Sequence, residues 1–105
     1  MANYVFAYHG GRSPESEEEG AAVMKAWMDW FADLGEAVVD VGAPTGESAT
    51  LAADGSSSPG GGTNPVTGYS IVAADSLESA LAIAKGCPQL AAGGTIEVAE
   101  ALSVM

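Results

Sequence analysis

Aromatic and β-branched side chains fill residues 3–8, Asn-Tyr-Val-Phe-Ala-Tyr, and stop at Gly10-Gly11. This pattern predicts a strand followed by a breaker. Both parities are apolar. Val5 and Ala7 share one face, and Tyr4, Phe6 and Tyr8 share the other, so the strand is expected to be covered on both sides. Residues 14–34 change period. Val23, Trp27, Trp30, Phe31 and Leu34 recur three and four apart, which predicts a helix with a core stripe. Ser13-Pro14 fits a cap and first-turn pair, and Ser16 with Glu19 offers a second register with capping-box spacing. Four glutamates between 15 and 19 suit the positive end of the helix dipole, and Gly35 suits its stop. Met24 and Met28 widen the apolar sector, as core filler or as a subunit contact.

A second strand is predicted over 36–42, a third over 68–74 and a last over 94–101. A second helix over 76–85 is expected to be capped by Asp75, with Leu77, Ala80, Leu81 and Ala84 facing the core. Gly86 and Cys87-Pro88 end it. The segment 43–67 is rich in Gly, Ser, Pro and Thr. It reads as a long flexible loop in which only Ala49 to Ala53 is expected to be extended, and connections of this length are usually functional or mobile. The 42 residues before it and the 38 after it are each too small to stand alone. A single domain over 1–105 follows.

The order β-α-β, loop, β-α-β predicts an α+β, ferredoxin-like fold: an antiparallel four-stranded sheet with two helices on one face. The other face is the physical difficulty. Tyr4, Phe6 and Tyr8, or their opposite-parity neighbours, would lie in water there. An exposed apolar sheet face usually marks an interface, so a homodimer with two sheets facing each other is expected.

The chain has 105 residues, with three Lys and Arg against fourteen Asp and Glu, and a net charge of −11. Nucleic acid and anionic membrane surfaces are poor partners for such a surface, because phosphate contacts need clustered cations. Cys87 is the only cysteine, which rules out an internal disulfide and a thiolate zinc cluster. Met1-Ala2-Asn3-Tyr4 carries no basic region ahead of an apolar stretch, and no run reaches the ~18–20 apolar residues of a membrane span. A cytoplasmic protein is expected.

The runs Gly-Tyr-Ser-Ile-Val-Ala-Ala-Asp-Ser-Leu-Glu-Ser-Ala-Leu-Ala-Ile-Ala-Lys-Gly-Cys-Pro, from Gly68, and Gly-Gly-Thr-Ile-Glu-Val, from Gly93, resemble the YCII-related family and its DGPF branch. The opening strand, the Trp-bearing first helix and the Leu34-Gly35 turn agree with it. The resemblance implies a dimeric α+β barrel. It also implies small organic molecules as ligands, since a few members act on ring compounds. Two departures stand out. The Asp-Gly-Pro-Phe signature is missing, because the corresponding residues read Gly62-Thr-Asn-Pro-Val-Thr-Gly68. The His–Asp pair proposed for some YCII-type proteins has no counterpart, because the first helix carries no His and the pre-proline residue is Cys87.

Connectivity brings His9, Arg12, Asp40, Tyr69, Cys87 and Glu97 toward one end of the sheet, with the long loop as a cover. Histidine is the residue type whose unperturbed pKa lies near neutrality, so His9 is the candidate catalytic acid or base, oriented by Asp40 or Glu97. The plain alternative is a solvated histidine past a strand end. Arg12 could grip a carboxylate or phosphate, or simply pair with nearby glutamates. Tyr69 could close a pocket or pack. Cys87 reads as a packing thiol, since a helix C-terminus disfavours thiolate. Gly10-Gly11 and Gly60-Gly61-Gly62 lack the Lys and the spacing of a phosphate loop. No metal site or cofactor is implied. Two functions remain in view: binding or conversion of a small organic molecule at the strand ends, or a non-catalytic homodimeric module.

Overall fold

The computed structural model describes residues 1–103. The chain order is β1 (Ala2–His9), α1 (Glu17–Leu34), a 3-10 turn over Gly35–Ala37, β2 (Val38–Pro44), β3 (Ala49–Leu51), β4 (Ser57–Pro59), β5 (Val66–Ala74), α2 (Leu77–Ala84), α3 (Pro88–Ala91) and β6 (Thr95–Ala101). Four strands form an antiparallel sheet in the order β2-β5-β1-β6, with the helices on one side. This is the α+β, ferredoxin-like arrangement the pattern predicts.

The covered face carries the core. Tyr4, Phe6 and Tyr8 of β1 lie beneath the helices with Ser70, Val72 and Ala74 of β5, and Phe6, Val72 and Ser70 are fully enclosed. Trp30 tilts over Phe6 with centroids 6.3 Å apart, and Trp27 meets Tyr8 edge-on at 5.1 Å. Such edge and tilted ring pairs are favoured by the aromatic quadrupole.

The register fixes what lies on the other face. Val5 pairs with Ile71 and Ala99, and Ala7 pairs with Tyr69 and Glu97. Cross-strand partners point the same way. Val5, Ala7, His9, Tyr69, Ile71 and Glu97 therefore share the uncovered side. The molecule is a slab of 43 × 42 × 19 Å, so its thin dimension holds only the helix and sheet layers.

Several expectations need correction. Helix α1 uses the later register, with Ser16 as cap accepting from the Glu19 amide. Asp75 does not cap α2; Ser76 does, accepting from the Ser79 amide. Its core residues are Ala80, Ile83 and Ala84, while Leu77 and Leu81 are about half-exposed. The small alanines let the helix approach the sheet and leave the leucines at the edge. Val23 falls outside the core, and Met24 and Met28 are exposed, so the methionines are not core filler. Helix α3 was not anticipated. Cys87-Pro88 stops α2 and at once starts a new turn, with Pro at the first helical position.

The segment 43–67 is more regular than its composition suggests. Thr45 N–H donates to the Thr67 carbonyl, which continues the β2–β5 pairing outward. Beyond it β3 and β4 pair with each other around Asp54-Gly55. The Asp54 carboxylate accepts from the Ser56 amide and hydroxyl, which hold it below the usual carboxylate range, and Gly55 has φ 92°. An Asp-Gly pair is a recognised hairpin signal. All residues of β3 and β4 are exposed, so this arm rests on its own ladder rather than on the core.

Candidate functional site

The first helix is sealed to the sheet only along its C-terminal half. Trp27, Trp30, Phe31 and Leu34 clasp the core there. Toward the N-terminus Gly20, Val23, Met24 and Ala26 border an open space, and the last three are exposed. A cleft of about 880 Å³ opens between that half of α1 and the end of the sheet. It lies where β1 and β2 end and β5 begins. Its walls come from Gly10 to Pro14, from Val41 to Thr45, from Thr67 to Ser70 and from α3. Ligand sites are typically clefts of roughly 300–1,000 Å³, largely apolar with a few placed polar groups.

The floor is aromatic. Tyr8, Trp27 and Phe31 line it, and Trp27 and Phe31 are 5.9 Å apart. The Tyr8 hydroxyl donates to Ser70 Oγ at 2.8 Å, and the Ser70 hydroxyl donates onward to the Val41 carbonyl at 2.8 Å. Burial holds the Tyr8 phenol proton well above the usual tyrosine range. Cys87 lies against Tyr8, and burial pushes its thiol up to about 11. A thiol in that condition is not a poised nucleophile.

The rim carries charge. Arg12 Nη1 donates to Glu19 Oε1 at 2.6 Å. The Arg12 amide donates to the Ala92 carbonyl, which ties the rim to α3. Gln89 completes this tie. It is buried, and its Nε2 donates to the carbonyls of His9 and Gly10 at 3.0 and 3.2 Å. A side chain at Gly94 would collide with that amide, so the glycine makes room for the post. Thr67 holds the same corner, its hydroxyl donating to the Gly10 carbonyl at 3.0 Å. Gln89 and Glu19 carry no recognisable motif and were missed as site residues. The capping-box spacing around Glu19 is the nearest signal, and it speaks of the helix rather than the cleft.

The residues singled out from the sequence do not form one cluster. Arg12 stands on the cleft. Tyr69 belongs to its wall through β5, but its register opposite Ala7 turns it to the uncovered face. His9 lies on that uncovered face. Its Nδ1 is 2.9 Å from the Asn64 carbonyl, which only accepts, so Nδ1 carries the hydrogen. Its Nε2 is enclosed, makes no hydrogen bond among the described residues and faces Glu97 Oε1 at 3.4 Å. His9 and Glu97 are thus brought together, away from the cleft. Asp40 joins neither group. Its carboxylate accepts from the Gly42 amide at 2.8 Å and shapes the bulge in β2. Gly42 has φ 74°, and a Cβ there would strike the Tyr69 carbonyl, so only glycine fits.

Among the described residues, no three His, Cys, Asp or Glu side chains are grouped to hold a metal ion. Likewise no helix there is long and apolar enough to cross a membrane. A comparison with curated proteins found no match. The family model of the YCII-related domain matches residues 4–103. That span takes in β2, β5, β6, all of β1 but its first two residues and every helix that borders the cleft, and the chain belongs to the YCII-related domain family.

Proposed function

We propose that this protein binds a small organic molecule in the cleft between α1 and the sheet, as a homodimer assembled through the uncovered sheet face. The cleft carries the reading. A void of about 880 Å³ floored by Tyr8, Trp27 and Phe31 exposes apolar surface to water, and a ligand would relieve that cost. The slab shape and the apolar residues Val5, Ala7 and Ile71 support the second half, because a matching face on another copy would exclude water from both. In this reading Arg12 and the β5 wall hold the ligand, and His9 with Glu97 belongs to the subunit face.

Placing a large side chain in the cleft tests it. Ala26 lines the void and is exposed, so Ala26→Trp should fill space without disturbing the core. Indole and other neutral ring compounds are expected to shift the Trp27 side-chain resonance of the wild type and to leave the filled variant unmoved. Equal shifts in both proteins would overturn the cleft assignment.

A second reading, a non-catalytic homodimeric module without a ligand, draws on one observation. The His9 ring is engaged by Asn64 and Glu97 and lies outside the cleft. Failure of every neutral ring compound to shift Trp27, with a dimer retained in ultracentrifugation, would favour it.

A further inference from the structure

We propose that the molecule taken by the cleft is a flat apolar ring bearing one carboxylate. The ring lies against Tyr8, Trp27 and Phe31, and the carboxylate sits on the free donors of Arg12. This rests on the reading of the cleft as a ligand site and adds its chemical class.

Arg12 is one of only three basic residues, and it stands at the mouth of the void. A guanidinium has five N–H donors in a planar fork. The Arg12 side chain makes one bond, from Nη1 to Glu19. Among the described residues its remaining donors are unengaged, enough for a two-point grip on a carboxylate. Glu19 and the backbone bond from Arg12 to Ala92 keep the fork at the rim. The floor below it is made of rings in tilted and edge-on contact, a surface that accepts another ring in the same geometries.

The number of charges on the ligand follows from the surroundings. Glu19 lies beside Arg12, further glutamates stand at 15, 17 and 18, and the chain carries −11. A dianion would meet more repulsion than one guanidinium offsets. A single carboxylate can pair with the fork while its ring gains from burial. Glu19 then plays two parts. It restrains Arg12, and its charge weakens the hold on any anion.

Calorimetric titration with benzoate and its neutral near-isostere benzamide tests the proposal. In the wild type, benzoate should bind about tenfold tighter than benzamide, which corresponds to ~1.4 kcal/mol. Arg12→Gln should bring the two to equal affinity, and Arg12→Lys should restore part of the gap, because it returns the charge without the fork. Glu19→Gln should tighten benzoate severalfold and leave benzamide unchanged. Raising the salt should weaken benzoate alone, since Arg12 is solvent-exposed. Equal affinities in the wild type, or an advantage for benzoate that survives Arg12→Gln, would overturn the carboxylate assignment while the cleft remained a site for neutral rings. Binding of neither compound, together with no response of Trp27 to any neutral ring, would instead remove the cleft reading on which this one stands.

Discussion

The two faces of the sheet are made from alternate residues of the same strands, yet they solve opposite problems. On the helix side, Tyr4, Phe6 and Tyr8 find Trp27, Trp30 and Phe31, and even the polar Ser70 is enclosed because Tyr8 and Val41 satisfy its hydroxyl. On the far side, Val5, Ala7 and Ile71 meet no second layer among the described residues, and His9 and Glu97 lie beside them with Nε2 and Oε1 3.4 Å apart. The covered face has the composition of a core. The uncovered face has that of an interface, apolar at its centre with polar groups at its margin. One strand thus serves the fold through even positions and, in the proposed homodimer, assembly through odd ones, so each face should answer to a different perturbation.

The largest difference should come from cutting into the covered face. Phe6→Ala removes a fully buried ring and should cost about 3–5 kcal/mol in denaturant unfolding. A loss below 1 kcal/mol would mean that the core is not where these contacts place it. The matching change on the other face is Ile71→Glu. It should leave the circular dichroism spectrum intact and convert the proposed dimer to a monomer in sedimentation velocity. A variant that stays dimeric would break the assignment of that face to assembly.

Smaller effects sharpen the picture on the covered side. Gly94→Ala forces Gln89 off the His9 and Gly10 carbonyls and should cost about 1–3 kcal/mol, as overpacking does. Cys87 supplies a pH signature. Its thiol is held above the ordinary value by burial, at about 11, so the folded state keeps the proton that the unfolded chain releases. The stability it contributes is complete below pH 9 and is lost as pH rises from 9 through 11. Wild-type melting temperature should therefore fall faster over that range than that of Cys87→Ala. The smallest effect belongs to the arm. Deleting residues 55–62 removes β4 and its turn but no core contact, and loop closure depends weakly on length, so the melting temperature should move by only a degree or two.

Periodicity made the main elements legible, because each buries one face against a common core. Trp27, Trp30, Phe31 and Leu34 marked the clasp of α1 correctly. Val23 continued the same stripe and misled, since helical spacing cannot report where a helix lifts from its sheet. Leu77 and Leu81 misled in the opposite way. Spacing set them on one stripe with Ala80 and Ala84, but close approach to the sheet buries only the smaller residues. Ser76 outranked Asp75 as a cap for reasons of one-residue register, which composition leaves open. The candidate cleft was legible in part. Arg12 stood out as a rare cation, and connectivity placed it at the right end of the sheet. The parting of His9 from Arg12 depends on which side of a pleat each residue faces, and the bulge between Tyr8 and His9 complicates that count. Gln89 left no trace in the pattern, for a lone amide between apolar neighbours gains its meaning only from the carbonyls it meets.

His9 belongs to both sides of the molecule at once. Its carbonyl is grasped by Gln89 beside the cleft, while its ring stands on the opposite surface between Asn64 and Glu97. A guest that shifts the Gly10 to Pro14 rim would tug the backbone of the very residue that furnishes the far surface. Occupancy and self-association would then be thermodynamically linked, each altering the other's equilibrium constant by the same factor.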